Sequence, residues 1–117
     1  MTTPITIFHN PACGTSRQVL AMIRAAGVEP EVVEYLKAGW RRGQLASLLK
    51  RMGLAPRDIL RVRGAPAEAV DLTAPTATDD EIVDAMVRHP ILVERPIVAG
   101  PRGAALCRPA EKVLALL

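Results

Sequence analysis

The sequence predicts an α/β fold in which a four-stranded mixed sheet is flanked by helices. Three observations support this fold class. A strand, a helix and a second strand follow one another early in the chain, a helical segment occupies the middle, and two strands and a helix come after it. The predicted order is therefore βαβ, a helical insertion, then ββα. The first two strands are expected to be parallel because a helix connects them.

The early βαβ unit is visible in the pattern of apolar residues. Residues 5–8, ITIF, are predicted to form a short buried strand, and EVVEYL, residues 31–36, is predicted to form the second strand. Between them, apolar side chains recur at helical spacing from about Thr15 to Ala26. Gly27 follows as a helix stop signal.

The middle of the chain is predicted to be helical. Leucines at helical spacing mark one amphipathic helix that ends before Gly53, and a short helix is expected over about 56–61. Thr78 and Glu81 form the pattern of a capping box, which begins another helix. That helix has to end by about Arg88, because a proline follows closely.

The remaining segment is predicted to form a hairpin and a helix. PIVAG (96–100) is predicted to be a strand, RGA (102–104) a tight turn and ALC (105–107) the second strand. Pro109 is well placed at the first turn of the following helix. Together, the elements match the thioredoxin-like arrangement.

Length and composition limit the classes of protein. We expect a single domain over residues 1–117, with the helical insertion at about 41–89. The net charge is +3, but the basic residues are scattered and aromatic residues do not interleave with them, so a nucleic-acid surface is not indicated. The sequence shows neither a signal peptide nor a membrane-spanning stretch. Two cysteines are too few for a disulfide framework, so we expect a protein of the reducing cytoplasm. From the charge pattern and the lack of a long apolar stretch, we expect it to contact neither nucleic acid nor membrane.

One cysteine, Cys13, lies between the first strand and the first helix, in the stretch HNPACGTSR. The first turn of a helix has backbone N–H groups without intrahelical partners, and the helix dipole favours anions there. The same end of a helix lowers the pKa of a thiol. Gly14 allows a ligand to approach the backbone closely. Thr15 and Ser16 can hydrogen-bond to oxygen, and Arg17 adds positive charge. The loop can therefore hold a nucleophilic thiolate and an oxyanion together.

The spacing around Cys13 excludes two familiar sites. A dithiol redox site needs C-x-x-C, but the second position here is Ser16. A phosphatase-type loop needs C-x5-R, and that position is Val19. The loop is therefore a one-thiol site that needs an external thiol to complete a redox cycle. Cys107, at a strand end, is expected to be structural, and a disulfide between the two cysteines is disfavoured.

Several stretches together resemble the glutaredoxin-coupled arsenate reductase family. They are ITIFHNPACGTSR, LLKRMGL, ILR, TDDEIVDAMVRHPILVERPIV and LCRP, and the similarity extends from Ile5 to Leu117. The HPIL-x-x-RPI and LCRP blocks are more specific than the cysteine loop. The resemblance implies reduction of arsenate to arsenite through a cysteine–arsenate adduct. It also implies glutathione as co-substrate, glutaredoxin as partner, and neither a metal nor a tightly bound cofactor.

The resemblance further implies the residues that act on arsenate. Cys13 matches the cysteine that attacks arsenate. The three arginines that hold the anion in the family match Arg61, Arg95 and Arg108. Arg63 is a nearby rival of Arg61.

Supporting roles follow from the same resemblance. His9 matches the histidine at the end of the first strand, and Ser16 matches the hydroxyl residue that helps to activate the thiol. The Arg95–Pro96 peptide bond is expected to be cis, beside the cysteine loop. The segment RGAPAEAVDLTAPTA matches the family loosely.

Two other functions stay open at this point. A general monothiol oxidoreductase of the same fold would form a mixed disulfide with glutathione at Cys13 without needing three arginines. A thiol-stress regulator that binds RNA polymerase shares the fold and the length. Typical redox-switching members of that group carry C-x-x-C, and Ser16 argues against this alternative.

Overall fold

The computed structural model describes residues 4–117, apart from the side chains at positions 67, 68 and 70. Residues 1–3, which the predicted domain includes, lie outside the described residues. In chain order the elements are β1 (Thr6–His9), α1 (Gly14–Ala25), β2 (Glu31–Glu34), α2 (Tyr35–Ala38), α3 (Arg42–Met52), the 3₁₀ helices Pro56–Ile59 and Ala67–Thr73, α4 (Asp79–Arg88), the 3₁₀ helix Pro90–Leu92, β3 (Ile97–Gly100), β4 (Gly103–Leu106) and the last 3₁₀ helix, Ala110–Leu116. Of the described helices, none has the length and apolar character that crossing a membrane requires.

The described residues divide into two compact units. The first contains residues 4–38 and 95–117, and the second contains residues 39–94. The sheet, α1, α2 and the last 3₁₀ helix belong to the first unit, and α3, α4 and the other 3₁₀ helices belong to the second. The assignment of the whole chain to one domain with an insertion at about 41–89 stays a prediction.

The sheet in the first unit has the strand order β2-β1-β3-β4. β1 pairs in parallel with β2, and β3 is antiparallel to both β1 and β4. Helix α1 makes the connection that the parallel pair requires. The predicted mixed sheet and the predicted order of elements are therefore confirmed for residues 4–117.

The core of the first unit lies between the sheet and two helices, α1 and the last 3₁₀ helix. Ile7 of β1 and Val98 of β3 meet Val19 and Ile23 of α1, and Val113 comes from the last 3₁₀ helix. All five side chains are completely buried. Because Val19 and Ile23 are four residues apart, they lie on one face of α1. This packing places the first turn of α1 beside the end of β1.

In the second unit, α4 packs against α3 and the three 3₁₀ helices of the unit. The Thr78 hydroxyl accepts the N–H of Glu81 at 3.2 Å, and the Glu81 carboxylate accepts the N–H of Thr78 at 3.0 Å. The predicted capping box thus begins α4. A backbone bridge joins Leu60 to Val93 in antiparallel sense.

The second strand is shorter than predicted. β2 ends at Glu34, and Tyr35 and Leu36, which we expected at its end, belong to α2. The prediction was wrong there because a short apolar run does not distinguish the end of a strand from a helical turn. The difference places Tyr35 in the interior, where its side chain is buried.

The hairpin turn also lies earlier than predicted. Gly100 pairs with Gly103, so the loop consists of Pro101 and Arg102, and β4 starts at Gly103. The prediction of a turn at 102–104 was therefore wrong by one to two residues. The position of a two-residue loop is set by the register of the two strands, which is not a local property of the sequence. The helices predicted near Pro56 and after Pro109 are present as 3₁₀ helices.

The core assignment predicts a large stability difference between two alanine substitutions. Ile23→Ala is expected to lower the free energy of unfolding by about 2–5 kcal/mol, because it leaves a cavity in a fully buried site. Leu114→Ala, at a side chain that is 57% exposed, is the control and is expected to change it by about 0.5 kcal/mol. Urea denaturation followed by circular dichroism measures both. Equal losses would contradict the assignment.

Candidate active site

The cysteine loop is a tight turn between β1 and α1. Cys13 is the N-cap residue of α1 and is half-buried. Its N–H donates to the carbonyl of Asn10 at 3.0 Å, and its carbonyl accepts the N–H of Arg17 at 3.0 Å, the first hydrogen bond of the helix. The N–H of Ala12 donates to Asn10 Oδ1 at 3.0 Å. The thiol therefore lies at the positive end of α1, as the sequence predicted.

The surroundings of Cys13 favour its thiolate form. Burial by itself raises the pKa of the Cys13 thiol. The backbone N–H of Ser16, the side chain of Arg95 and the backbone N–H of Thr15 lower that pKa by a larger amount. The pKa of Cys13 therefore lies below its ordinary value, which increases the fraction of nucleophilic thiolate at neutral pH.

The hydroxyl of Ser16 is directed to His9. Ser16 Oγ lies 2.6 Å from His9 Nδ1 and accepts the N–H of Asn10 at 3.1 Å. The Ser16 hydroxyl donates to His9 Nδ1 in the tautomer of neutral His9 that carries its hydrogen on Nε2, and it accepts from Nδ1 in the other tautomer. Burial lowers the pKa of His9, and the charges of Arg17 and Arg24 lower it further against the opposing effect of Glu34. We therefore assign a neutral imidazole at pH 7.

Ser16 thus acts on the sulfur through its backbone. Its N–H stabilises the Cys13 thiolate, while its hydroxyl is bonded to His9 and is completely buried. The resemblance implied that the hydroxyl residue helps to activate the thiol. In this structure the direct contribution comes from the N–H group, and the hydroxyl holds that part of the loop against β1.

Arg95 and Arg108, which come more than eighty residues after Cys13 in the sequence, lie beside its thiol. Arg108 Nη1 is 3.9 Å from Cys13 Sγ and donates to the carbonyl of Arg95 at 3.1 Å. Both arginine side chains are half-buried. Arg95 Nε and Nη1 are buried and have no hydrogen-bond partner within residues 4–117. Buried unpartnered N–H groups beside a thiolate provide donors for an oxyanion.

The other predicted supporting residues have definite positions. Arg17 Nη1 donates to the carbonyl of Pro11 at 2.8 Å, so this guanidinium braces the loop. A Cβ at Gly14 would lie 3.7 Å from Arg17 Nη2, an ordinary contact, so the protein itself does not require glycine there. The Arg95–Pro96 peptide bond is cis, as expected, and Arg108–Pro109 is cis as well.

Arg61 belongs to the second unit. Its Nη1 donates to Glu94 Oε1 at 2.9 Å, and its Nε is buried without a hydrogen-bond partner in the described part of the chain. The backbone holds this pair, because the N–H of Arg61 donates to Leu92 at 2.7 Å and the N–H of Glu94 donates to Ile59 at 2.8 Å. The rival, Arg63, is exposed. The role of Arg61 as an anion ligand stays a prediction.

Sequence reasoning missed two buried polar residues of the site. Asn10 is 3% exposed and Tyr35 is 1% exposed. Burial raises the pKa of Tyr35, and the nearby side chains of Arg95 and Asn10 oppose that rise. Asn10 carried a signal, since an asparagine side chain often bonds to the backbone two residues on. Tyr35 carried none, because it lies more than twenty residues after Asn10 in the sequence, at the start of α2.

Cys107 has the opposite environment from Cys13. It is completely buried, and its thiol donates to the carbonyl of Ala105 at 3.7 Å. Burial raises the pKa of Cys107 to about 11. Both cysteines are free thiols. The environment of Cys107 agrees with the structural role expected for it.

Among the described residues, no group of three or more His, Cys, Asp or Glu side chains could hold a metal ion.

Comparison with known proteins places the chain in a family. The model of the ArsC family matches residues 8–116. The chain belongs to the ArsC family. This ArsC-family protein is similar to an arsenate reductase of Synechocystis sp., with 54% identity over 113 residues that cover 97% of this chain and 81% of the relative. It is 49% identical to an arsenate reductase of Escherichia coli, over 97% of this chain and 80% of that relative.

A solved structure gives the same result for the fold. The arsenate reductase from Vibrio cholerae has a TM-score of 0.91 to the ArsC-family protein, at 34% identity, and the alignment covers 100% of both chains. The family resemblance and the thioredoxin-like fold class predicted from the sequence are therefore confirmed.

The two cysteines are expected to differ sharply in reactivity. Iodoacetamide at pH 7 should alkylate Cys13, whose pKa is lowered, and leave the buried Cys107 unmodified. Mass spectrometry of the native protein should show a single adduct, and Cys13→Ser should show none. Denaturation should expose the second thiol. Rapid native modification of Cys107 would contradict its burial.

Arg95 is expected to keep the pKa of Cys13 low. Arg95→Ala removes a hydrogen bond and a positive charge from the thiolate, so the pKa of Cys13 should rise. Because the thiolate is the reactive form, alkylation at pH 7 should slow and its pH profile should move to higher pH. Arg102→Ala removes the same charge from the exposed β3–β4 turn and is the matched control. A similar shift in both variants would refute a local effect of Arg95.

Proposed function

We propose that this protein reduces arsenate to arsenite with the thiolate of Cys13, using glutathione as co-substrate and glutaredoxin as partner. The observation that carries the proposal is the buried, unpartnered Nε and Nη1 of Arg95 beside a thiol with a lowered pKa. Arsenate is a tetrahedral oxyanion, and planar guanidinium groups bind such oxygens well. The similarity to proteins named arsenate reductase supports this choice of anion.

In the first step, the Cys13 thiolate attacks arsenic. A sulfur–arsenic bond forms, and one arsenate oxygen leaves as water after it takes up protons. Arg95 and Arg108 neutralise the oxyanion before and after attack, and Arg61 is proposed as a third donor. The N–H groups of Thr15 and Ser16 stabilise the sulfur until it reacts.

In the second step, a glutathione thiolate attacks the sulfur of the adduct. A disulfide forms between Cys13 and glutathione, and the electron pair of the sulfur–arsenic bond stays on arsenic. Arsenic is thereby reduced from the pentavalent to the trivalent state, and arsenite leaves. The two thiols supply the two electrons, so the step needs neither a metal nor a tightly bound cofactor.

In the last step, glutaredoxin removes glutathione from Cys13 by thiol–disulfide exchange and restores the free thiol. An outside thiol is necessary because the position that would carry a second cysteine of C-x-x-C is Ser16. The cycle consumes reduced glutathione, which favours the cytoplasm as the location of the protein.

The reaction is tested by arsenate-dependent NADPH oxidation coupled through glutathione reductase, with glutathione and glutaredoxin present and arsenite measured directly. Cys13→Ser should abolish arsenite formation. Arg95→Ala and Arg108→Ala should lower kcat/KM for arsenate by about 10- to 100-fold, the effect of losing a hydrogen bond to a charged group. Arg102→Ala should have no effect.

Other results would favour the alternatives. Glutathionylation of Cys13 without arsenite formation would refute the proposed arsenate reduction and would support a general monothiol oxidoreductase. Absence of both, together with a stable complex with RNA polymerase, would favour the thiol-stress regulator.

A further inference from the structure

Asn10 makes hydrogen bonds to three residues of the cysteine loop. It follows β1 directly and is 3% exposed. Its N–H donates to Ser16 Oγ at 3.1 Å, its carbonyl accepts the N–H of Cys13 at 3.0 Å, and its Oδ1 accepts the N–H of Ala12 at 3.0 Å. The backbone and the side-chain oxygen of this single residue therefore hold the turn on both sides of the nucleophile.

The side-chain nitrogen of Asn10 is directed elsewhere. His9 of β1 pairs with Glu34 of β2, and Asn10 and Tyr35 are the residues that follow this last pair. Burial raises the pKa of the Tyr35 phenol, and hydrogen bonding and charge from the nearby side chains of Arg95 and Asn10 oppose that rise. The Asn10 amide nitrogen and the Arg95 guanidinium are therefore the donors, and the phenol oxygen accepts from both.

We propose that Asn10 and Tyr35 are positioning residues that align the Cys13 loop with Arg95. Asn10 shapes the loop so that the N–H groups of Thr15 and Ser16 face the sulfur. Tyr35 joins Asn10 to Arg95, which lies more than eighty residues away from the loop in sequence. The inference rests on the proposed function for its turnover measurements and on the fold alone for its thiol measurements.

Asn10→Ala and Tyr35→Phe should affect the thiol in different ways. Asn10→Ala removes the Ala12 bond and the link to Tyr35, so the pH profile of Cys13 alkylation should move to higher pH. Tyr35→Phe keeps the buried ring and leaves the loop bonded. It should shift the profile less, and it should raise KM for arsenate by about 3- to 10-fold, the effect of one misplaced hydrogen-bond donor.

A double-mutant cycle separates positioning from a general packing role. If Tyr35 acts through Arg95, Tyr35→Phe should not shift the alkylation profile further in the Arg95→Ala background. Asn10→Ala should still shift it there, because it also acts through the loop. A Tyr35→Phe effect of the same size in both backgrounds would overturn the proposed link.

Rescue and control variants complete the test. Asn10→Ser keeps a side-chain oxygen that can accept from the backbone two residues on but removes the donor to Tyr35. It should therefore restore much of the thiol profile while keeping the raised KM. Gln18→Ala, at an exposed amide of α1, should match wild type. Thermal melts followed by circular dichroism show which variants fold. If Asn10→Ala does not fold, the alkylation profile and KM of Asn10→Ser are used in its place.

An alkylation profile of folded Asn10→Ala or Asn10→Ser identical to that of Gln18→Ala, with unchanged KM, would overturn the proposal. Absence of arsenate turnover in wild type would refute the proposed function instead, and the alkylation cycle would still decide the role of the two residues.

Discussion

The rest of the site depends on how a negative charge on a half-buried sulfur is stabilised. Burial opposes the thiolate of Cys13, because the protein interior solvates an anion less well than water does. The N–H groups at the start of α1 and the guanidinium of Arg95 have to outweigh this effect. They can do so only while α1 stays fixed at the end of β1. The buried apolar contacts of Val19 and Ile23 with the sheet provide that fixation.

The two cysteines show how strongly the surroundings of a thiol change its pKa. Cys13 and Cys107 carry the same side chain, and both are free thiols in the first unit. The backbone donors and the arginine around Cys13 lower its pKa, whereas burial raises the pKa of Cys107 to about 11. The difference in pKa between the two thiols therefore follows from the donors and the positive charge around Cys13 and from the burial of Cys107.

Arg61 and Arg95 have buried N–H groups without a hydrogen-bond partner among the described residues. A buried donor without a partner costs about 1–3 kcal/mol, and Arg95 has two such groups. In the proposed reaction, the oxyanion would accept from these groups and remove this cost on binding. Glu94 bonds to one nitrogen of Arg61 while Arg61 Nε remains unpartnered among the described residues. The same principle therefore operates in the second unit.

The sequence by itself determined those features that arise from residues close together in the chain. Helical spacing located α1 and α3, the capping box at Thr78 located the start of α4, and the position of Cys13 before α1 predicted an activated thiol. The anion-holding arginines came from the family resemblance, since an isolated arginine carries no sign of what it contacts. The position of Arg95 and Arg108 beside Cys13 could not be inferred from local spacing.

Only the tertiary structure decided how distant segments meet. In the structure, β2 ends two residues earlier than predicted, and the hairpin loop consists of Pro101 and Arg102. The pairing of His9 with Glu34 places Asn10 and Tyr35 after the same pair of residues. The tertiary structure also decided that the hydroxyl of Ser16 bonds to His9 while its N–H faces the sulfur. The physical reason is that register and burial are set by the packing of whole elements against one another. A contact between two residues that are far apart in the chain leaves no pattern in the sequence around either of them.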